Sequence, residues 1–508
     1  MKFINHIENS TREYLAEMSK TERKKIGQFF TPAGIAEYMG SLMLHAQNEI
    51  NILDSGAGGG ILSAALIDKI CLEGCIKLIN LDLYENNKDV LPLLGSNLEH
   101  IKRGLLASGV TLNYRIINDN FILVNQFAWS GMIQNQKEYD VVISNPPYKK
   151  IGKNDSEASA MRDIVYGQPN LYFLFMAMAA KLLKNNGEFI FIVPRSFSSG
   201  LYFTAFRKWF FDEMKITNMH LFISRNAVFS CDNILQETII IKAIKTSKMP
   251  KEIIITESEN ANSFQNITSF TLPYKTCVKE DANSFLFFPT TKEDVEILDF
   301  INQWDYTLSD AGYRMKTGIV VDFRETQWLR TEYSKDTIPL LWAYNFDKNQ
   351  VEFPVHNDSK PQYLLASEDT ARLQMKIANY ILIKRFTSKE ERKRLQCALL
   401  FKDDFSAYKS ISTENHLNFI TKINGEMTKE EMYGLFVIIN SNYMDKYFRI
   451  LNGSTQVNAN EINSIPFPKY PDIIDLGLEA LKHNLLDEQT CDTILEQKYS
   501  NVLIYKAI

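Results

Sequence analysis

A chain of 508 residues, 45% apolar and 23% charged, has the composition of a globular protein of several domains with ample material for a core. Its net charge of −5 excludes a global basic field, so any nucleic-acid partner must be met by a local surface. Six scattered cysteines without paired spacing exclude a disulfide scaffold and argue against a metal site, and no apolar run is long enough to span a bilayer, so a cytoplasmic protein with free thiols is expected.

Residues 1–25 read as a polar helical lead-in. Gly27-Gln28-Phe29-Phe30-Thr31-Pro32 then enters a helix, with Thr31 as cap and Pro32 at the first position. Nothing in helix physics demands the Gly-Gln-Phe-Phe before it. Residues 50–65 read as strand, glycine turn and helix. Gly56, Gly58, Gly59 and Gly60 allow a tight turn and close approach to a ligand, and the helix start offers unpaired N–H groups. A phosphate-binding loop looks similar, but Asp54 puts an anion where a pyrophosphate would be repelled. A zwitterionic sulfonium such as S-adenosylmethionine suits that charge better. Residues 76–85 form a second strand ending in Glu85, where this architecture meets ribose hydroxyls; Asp82, inside the strand, is the reserve. A third strand ends near Asp119 and Asn120, either of which can reach the adenine amino group of the cofactor.

Asp140-Val-Val-Ile-Ser144 is a β-branched apolar run that stops at Asn145-Pro146-Pro147-Tyr148. The prolines stiffen the loop and remove backbone donors. The Asn145 amide oxygen and a proline carbonyl can accept both protons of an exocyclic NH2 group, and Tyr148 can lie against a ring. That is a site for a planar, amino-bearing base; the plainer reading is a stiff loop on any α/β domain. Residues 149–170 are polar and long enough to be a mobile loop closing over substrate. Residues 171–184 read as an apolar helix stopped by Asn185-Asn186-Gly187, and 188–195 as a buried strand. Strands alternating with helices over 45–245 predict one doubly wound parallel sheet, with a late antiparallel hairpin.

From about residue 246 the texture becomes irregular, with short aromatic strands and polar loops. The stretches 316–324 and 381–394 put Lys316, Arg324, Lys384, Arg385 and Lys389 beside Thr, Ser and aromatic residues, the composition of a surface that clamps a backbone and reads bases. Arg385, beside Phe386, is the candidate reader, with Lys384 and Lys389 as clamps. Arg392-Lys393-Arg394, next to Glu390 and Glu391, reads as a solvated helix face. The expected domains are catalytic over 1–245, a connector over 246–289, a mixed α+β recognition domain over 290–470, and closing helices over 471–508.

In this order the segments resemble the γ-class DNA adenine-N6 methyltransferases of type II restriction–modification systems, the PstI-like group among them. The likeness rests on Gly27 to Pro32, Asp54 to Gly60, Glu85, Asn145 to Tyr148, and the later Lys384-Arg385-Phe386 and Gly453-Ser454-Thr455-Gln456. It implies a Rossmann-like methyltransferase sheet with a C-terminal target-recognition domain. It implies S-adenosylmethionine contact from Phe29, Thr31, Pro32, Asp54, Gly56, Gly58, Gly60, Glu85 and Asp119. It further implies amino-group contact from Asn145, Pro146 and Pro147, with the flipped base held between Tyr148 and Phe229. The implied partner is double-stranded DNA, with no metal, a monomeric state, and a restriction endonuclease as a genetic rather than physical partner. Ser55, Gly56 and Ala57 replace the Pro, Ala and Cys usual in the family's glycine loop, which makes this loop more flexible. Asn120 stands where the family often has an acid, which leaves Asp119 against Asn120 open. Rival readings are a protein-glutamine N5 or RNA methyltransferase, because an amide NH2 offers the same two donors, and a catalytically silent DNA-binding subunit.

Overall fold

A computed structural model describes residues 2–17, 30–45, 47–133, 137–223, 237–260, 264, 266–279, 281–355, 360–388 and 390–503, with side chains as far as residue 499. The chain forms two compact units, Met1–Thr290 and Thr291–Ile508. Among the described residues no helix is long and apolar enough to cross a membrane.

The first unit is built on nine strands: β1 (Glu49–Asp54), β2 (Leu78–Tyr84), β3 (Thr111–Ile117), β4 (Tyr139–Ser144), β5 (Leu183–Pro194), β6 (Met214–Phe222), β7 (Thr238–Lys245), β8 (Glu252–Ser258) and β9 (Thr268–Pro273). Their order is β3-β2-β1-β4-β5-β7-β6-β8-β9. The first five are parallel, and β7 runs antiparallel to both neighbours. Alternate residues of the central strands feed two cores. Ile52, Val141, Ile143, Ile190 and Ile192 pack on one face with helices α1 (Phe3–Ala16), α2 (Ala33–Ser41), α3 (Ile61–Glu73) and α4 (Leu91–Ala107). Leu53, Val142, Phe189, Phe191 and Val193 pack on the other with α5 (Leu171–Lys181) and α6 (Thr204–Glu213). Burial on both faces is why these strands read as unbroken apolar runs rather than alternating ones. Strand order reverses between β1 and β4, and at such a point the loops leaving the two strands open a crevice.

Several local expectations are corrected. The helix ends at Lys181, and Asn185-Asn186-Gly187 is a bulge within β5, where Asn186 has φ 65° and the pairing with β4 slips. Residues 246–289 are not a connector, because β8 and β9 extend the sheet and Leu286 N–H donates to the Ser198 carbonyl at 3.1 Å. Residues 149–170 are anchored rather than free. Ile151 N–H donates to Pro169 and Leu171 N–H to Lys149, while Ala158, Met161 and Ile164 are buried.

The second unit carries a six-stranded sheet in the order Tyr313–Thr317, Leu417–Lys422, Tyr380–Lys384, Cys397–Leu400, Gln350–Val351, Phe346–Asp347. A four-stranded sheet includes Thr337–Leu341 and Ser412–Thr413. The closing helices are part of this core. Helices Lys429–Asn440 and Tyr470–Ala480 touch backbone to backbone, since a Cβ on Gly434 would lie 1.9 Å from the Ile473 carbonyl oxygen and one on Gly477 1.8 Å from that of Glu430. Only glycine fits at those two crossings.

Candidate active site

Strand β1 delivers Asp54 to the sheet edge, where it is fully buried beneath the turn it precedes. Its Oδ2 accepts from the Ser63 hydroxyl at 2.8 Å on α3. Burial pushes the Asp54 carboxyl up to about 7, with the Ser63 hydroxyl opposing. Gly58 and Gly60 take left-handed φ of 52° and 85°, so the turn closes onto the start of α3.

Three contacts brace this unusually glycine-rich turn. Glu85 accepts the Gly58 N–H at 2.9 Å through Oε2 and the Asn87 N–H at 2.8 Å through Oε1. Buried Asn97 donates to the Gly59 carbonyl at 2.8 Å and is itself held by Ser10 of α1 at 2.9 Å. The Ser55 hydroxyl donates to Ser144 at 2.9 Å, tying the end of β1 to the end of β4.

Strand β4 ends in Asn145-Pro146-Pro147-Tyr148. The Asn145 amide nitrogen donates to the Thr31 hydroxyl at 3.1 Å. Thr31 therefore does not cap α2; Pro32 occupies that position, with no side-chain cap bond. An amide whose nitrogen is committed to Thr31 presents its oxygen as an acceptor. The Tyr148 hydroxyl donates to the Ile192 carbonyl of β5 at 3.1 Å, and its ring stands edge-on to Tyr172 at 6.3 Å. Burial drives the Tyr148 phenol well above its usual range, so it stays neutral.

A cavity of about 820 Å³ opens at these strand ends. Of the residues picked out in the sequence, Thr31, Gly56, Gly58, Gly59, Glu85, Asp119, Asn120, Asn145, Pro146 and Pro147 line it. Pro32, Asp54, Gly60 and Tyr148 are not on its wall: Asp54 lies under the turn, Gly60 begins α3, Pro32 caps α2, and the Tyr148 hydroxyl is turned to β5. Asn120 is committed elsewhere. Its oxygen accepts from Ile122 and Leu123 N–H as the cap of a short helix, and its nitrogen donates to Glu157 at 2.8 Å. Both residues line the cavity; Asp119 is exposed there, with its Oδ1 accepting the Asn120 N–H at 2.7 Å. The reserve acid, Asp82, is used structurally by Arg115, Lys137 and Tyr139. Phe29, Phe229 and Lys389 lie outside the described residues.

The wall tests what could bind. Glu17, Glu85, Asp89, Asp119 and Glu157 face it against Lys149, while Tyr84, Phe121 and Phe175 form an apolar side. A polyphosphate would be repelled by that charge pattern. A cationic sulfonium carrying an adenine fits both halves. Ser55, Ser144, Asn97 and Glu157 were not foreseen; of these, only the serines at the ends of the neighbouring strands β1 and β4 left a sequence trace.

In the second unit the two late motifs meet. Phe386 bridges Gln456, Thr387 N–H donates to Thr455 at 3.1 Å, and Val457 N–H to Arg385 at 2.7 Å. Lys316 pairs with Phe419 and Lys384 with Leu417, which puts both cations on one face of the sheet, a strand apart. Lys384 lies over the Phe346 ring at 5.6 Å. Half-buried Arg385 lies 5.4 Å over Phe386 and donates to the Asn415 carbonyl at 3.0 Å. Arg324 sits on a separate turn against exposed Phe323. The expected solvated helix at 392–394 is corrected. Arg392 pairs with Glu488, but Lys393 and Arg394 are buried, and Arg394 ties Thr387 Oγ1 to the Ser454 carbonyl.

Comparison with known proteins gives a consistent set. Residues 65–229 match the Eco57I restriction-modification methylase family model. The chain is 32% identical over 497 residues to the Type II methyltransferase M.PstI of Providencia stuartii, covering 97% of each. It is 33% identical over 461 residues to the Type II methyltransferase M.BsuBI of Bacillus subtilis, covering 90% of each. It shares the fold of the Type IIL restriction-modification enzyme MmeI, solved in complex with DNA, with TM-score 0.51 and 13% identity over 99% of this chain and 74% of that one.

Proposed function

Because the chain belongs to the type II methyltransferases of restriction–modification systems, with S-adenosylmethionine as cofactor, we propose that it methylates N6 of an adenine flipped out of double-stranded DNA. The observation that carries this reading is the pairing of Asn145 with Thr31 beside the acid-walled cavity. It supports an amide oxygen, not an amide nitrogen, as the group facing the substrate.

Glu85, Asp119, Thr31 and the turn from Gly56 to Gly58 would hold the cofactor, with adenine against the apolar side. When bound it supplies an electrophilic methyl group. The chain's own residues do the rest. Adenine N6 is a poor nucleophile because its lone pair is delocalised into the ring. Hydrogen bonds from its two protons to the Asn145 oxygen and the Pro146 carbonyl favour a pyramidal nitrogen and aim the lone pair. The rate then comes from orientation and preorganised dipoles, without a covalent nucleophile. Asn145 is held by Thr31 and Tyr148 by Ile192, so neither group has to be ordered at the moment of reaction. Stacking on the ring of Tyr148, which stands behind the Pro147 wall with its hydroxyl anchored on β5, would offset the few kcal/mol that extruding the base costs. The second unit supplies the DNA surface, and the protein acts as a cytoplasmic monomer that shields its site from a cognate endonuclease.

Incubation of the protein with plasmid and labelled S-adenosylmethionine, followed by nucleoside mass spectrometry, tests this. N6-methyladenine is expected. Label in glutamine of a protein substrate or in RNA, with none in DNA, would replace the proposal with its rivals.

A further inference from the structure

The second unit contains a buried carboxylate whose two oxygens both serve one neighbour. Glu414 is fully buried; its Oε2 accepts the His416 backbone N–H at 2.8 Å, and its Oε1 lies 2.6 Å from His416 Nδ1. Among the described residues it has no lysine or arginine partner within ion-pair distance. Burying a carboxylate this way is costly unless its position is required.

The fold fixes that position tightly. Glu414 N–H donates to the Leu341 carbonyl at 2.9 Å, Asn415 N–H to Val320 at 2.8 Å, and Leu417 N–H back to Glu414 at 3.0 Å. Gly318 passes so close that a Cβ there would lie 2.1 Å from the Glu414 carbonyl oxygen. The effect is to hold one imidazole ring. The His416 side chain is 51% exposed, and with Nδ1 committed to Glu414, Nε2 is the ring atom left to meet a ligand.

The surroundings of that ring say what the ligand is. Exposed Phe386 lies 4.8 Å away, centroid to centroid. Arg385 lies over Phe386, donates to the Asn415 carbonyl, and bonds through its own N–H to the His416 carbonyl at 2.8 Å. An imidazole, an aromatic face and a guanidinium are thus fixed side by side on one exposed edge. A phosphate clamp needs only a mobile cation, whereas reading a base edge needs groups held in angle as well as place.

We propose that His416, positioned by Glu414, reads a base edge, next to the one for which Arg385 is the candidate reader. This rests on the reading of the protein as a site-specific DNA methyltransferase. The test uses the full-length protein, S-adenosylmethionine and a plasmid library. In the library the wild-type methylation site, mapped first by single-molecule sequencing, is varied one base pair at a time.

His416→Ala should relax discrimination at one base pair by about ten- to hundredfold, and leave the salt dependence of binding unchanged. Glu414→Gln should relax the same base pair by less, and Arg385→Ala a neighbouring one. A uniform loss on every site variant, or unaltered discrimination in His416→Ala, would make the pair a structural corner and overturn the inference. Since Glu414 is buried, His416→Ala at the exposed ring decides even where Glu414→Gln fails to fold. Methylation by the wild type without site preference would instead overturn the parent reading.

Discussion

Asp54→Asn separates the two roles that Asp54 can play, because it keeps an acceptor for Ser63 and removes the charge. In the folded protein the carboxyl titrates near about 7 rather than 3.8, because burial penalises its ionised form. The unfolded chain therefore gives up this proton first, and folding stability falls as pH rises from about 4 to about 7. At 1.36 kcal/mol per unit the whole shift amounts to about 4 kcal/mol, an upper figure for a site that can relax. The portion lying between about pH 5.5 and about pH 8.5 is about 2 kcal/mol. Urea unfolding of both forms at those two pH values measures it, on the transition that S-adenosylmethionine shifts. The packing cost of the substitution is common to both pH values and drops out, so the wild type should lose about 2 kcal/mol relative to Asp54→Asn at the higher pH. A difference independent of pH would refute the burial argument. A cationic cofactor above the turn favours the ionised form, so wild-type affinity should rise with pH through about 7, while that of Asp54→Asn should not.

Thr31→Val should lower the single-turnover methylation rate by roughly fivefold, the worth of one neutral hydrogen bond, and add no further loss in an Asn145→Ala background. Asp119→Ala should raise KM for S-adenosylmethionine with little change in kcat. Asn120→Ala should instead cost about 1 kcal/mol of stability through the lost helix cap, read by denaturant midpoint. Buried His220 bonds Thr256 and Ser258, and burial lowers it from 6.5 to about 4. The unfolded chain takes that proton first, so about 3 kcal/mol of stability should be lost as pH falls from about 6.5 to about 4, and His220→Gln should flatten the loss.

What was legible in the sequence was local: a strand followed at once by a glycine turn or by Asn145-Pro146-Pro147 declares its own end, and those turns line the cavity. Strand ends from distant segments then meet because a parallel sheet aligns them, which is why Glu85, Asp119 and Asn145 reach one cavity. What was not legible depended on partners far along the chain. Thr31 reads as a helix cap until Asn145, 114 residues later, takes its hydroxyl. Asn120 and Asp119 are equivalent by position, and only the helix start and Glu157 separate them. Arg394 and Lys393 look solvated beside glutamates, yet Ser454 and Asn440 draw them inside. The strands of 252–273 carry mixed polar patterns because an edge of the sheet buries less of them.

In the proposed reaction Asn145 faces the amine rather than the cofactor. The direct measurement is single-turnover methylation of plasmid DNA by Asn145→Ala, alongside calorimetric titration with S-adenosylmethionine. The rate of N6-methyladenine formation should fall at least about a hundredfold, the usual cost of losing one preorganised polar group, while cofactor affinity stays within about twofold of wild type. Near wild-type methylation, or a loss of cofactor affinity that accounts for the whole effect, would contradict it.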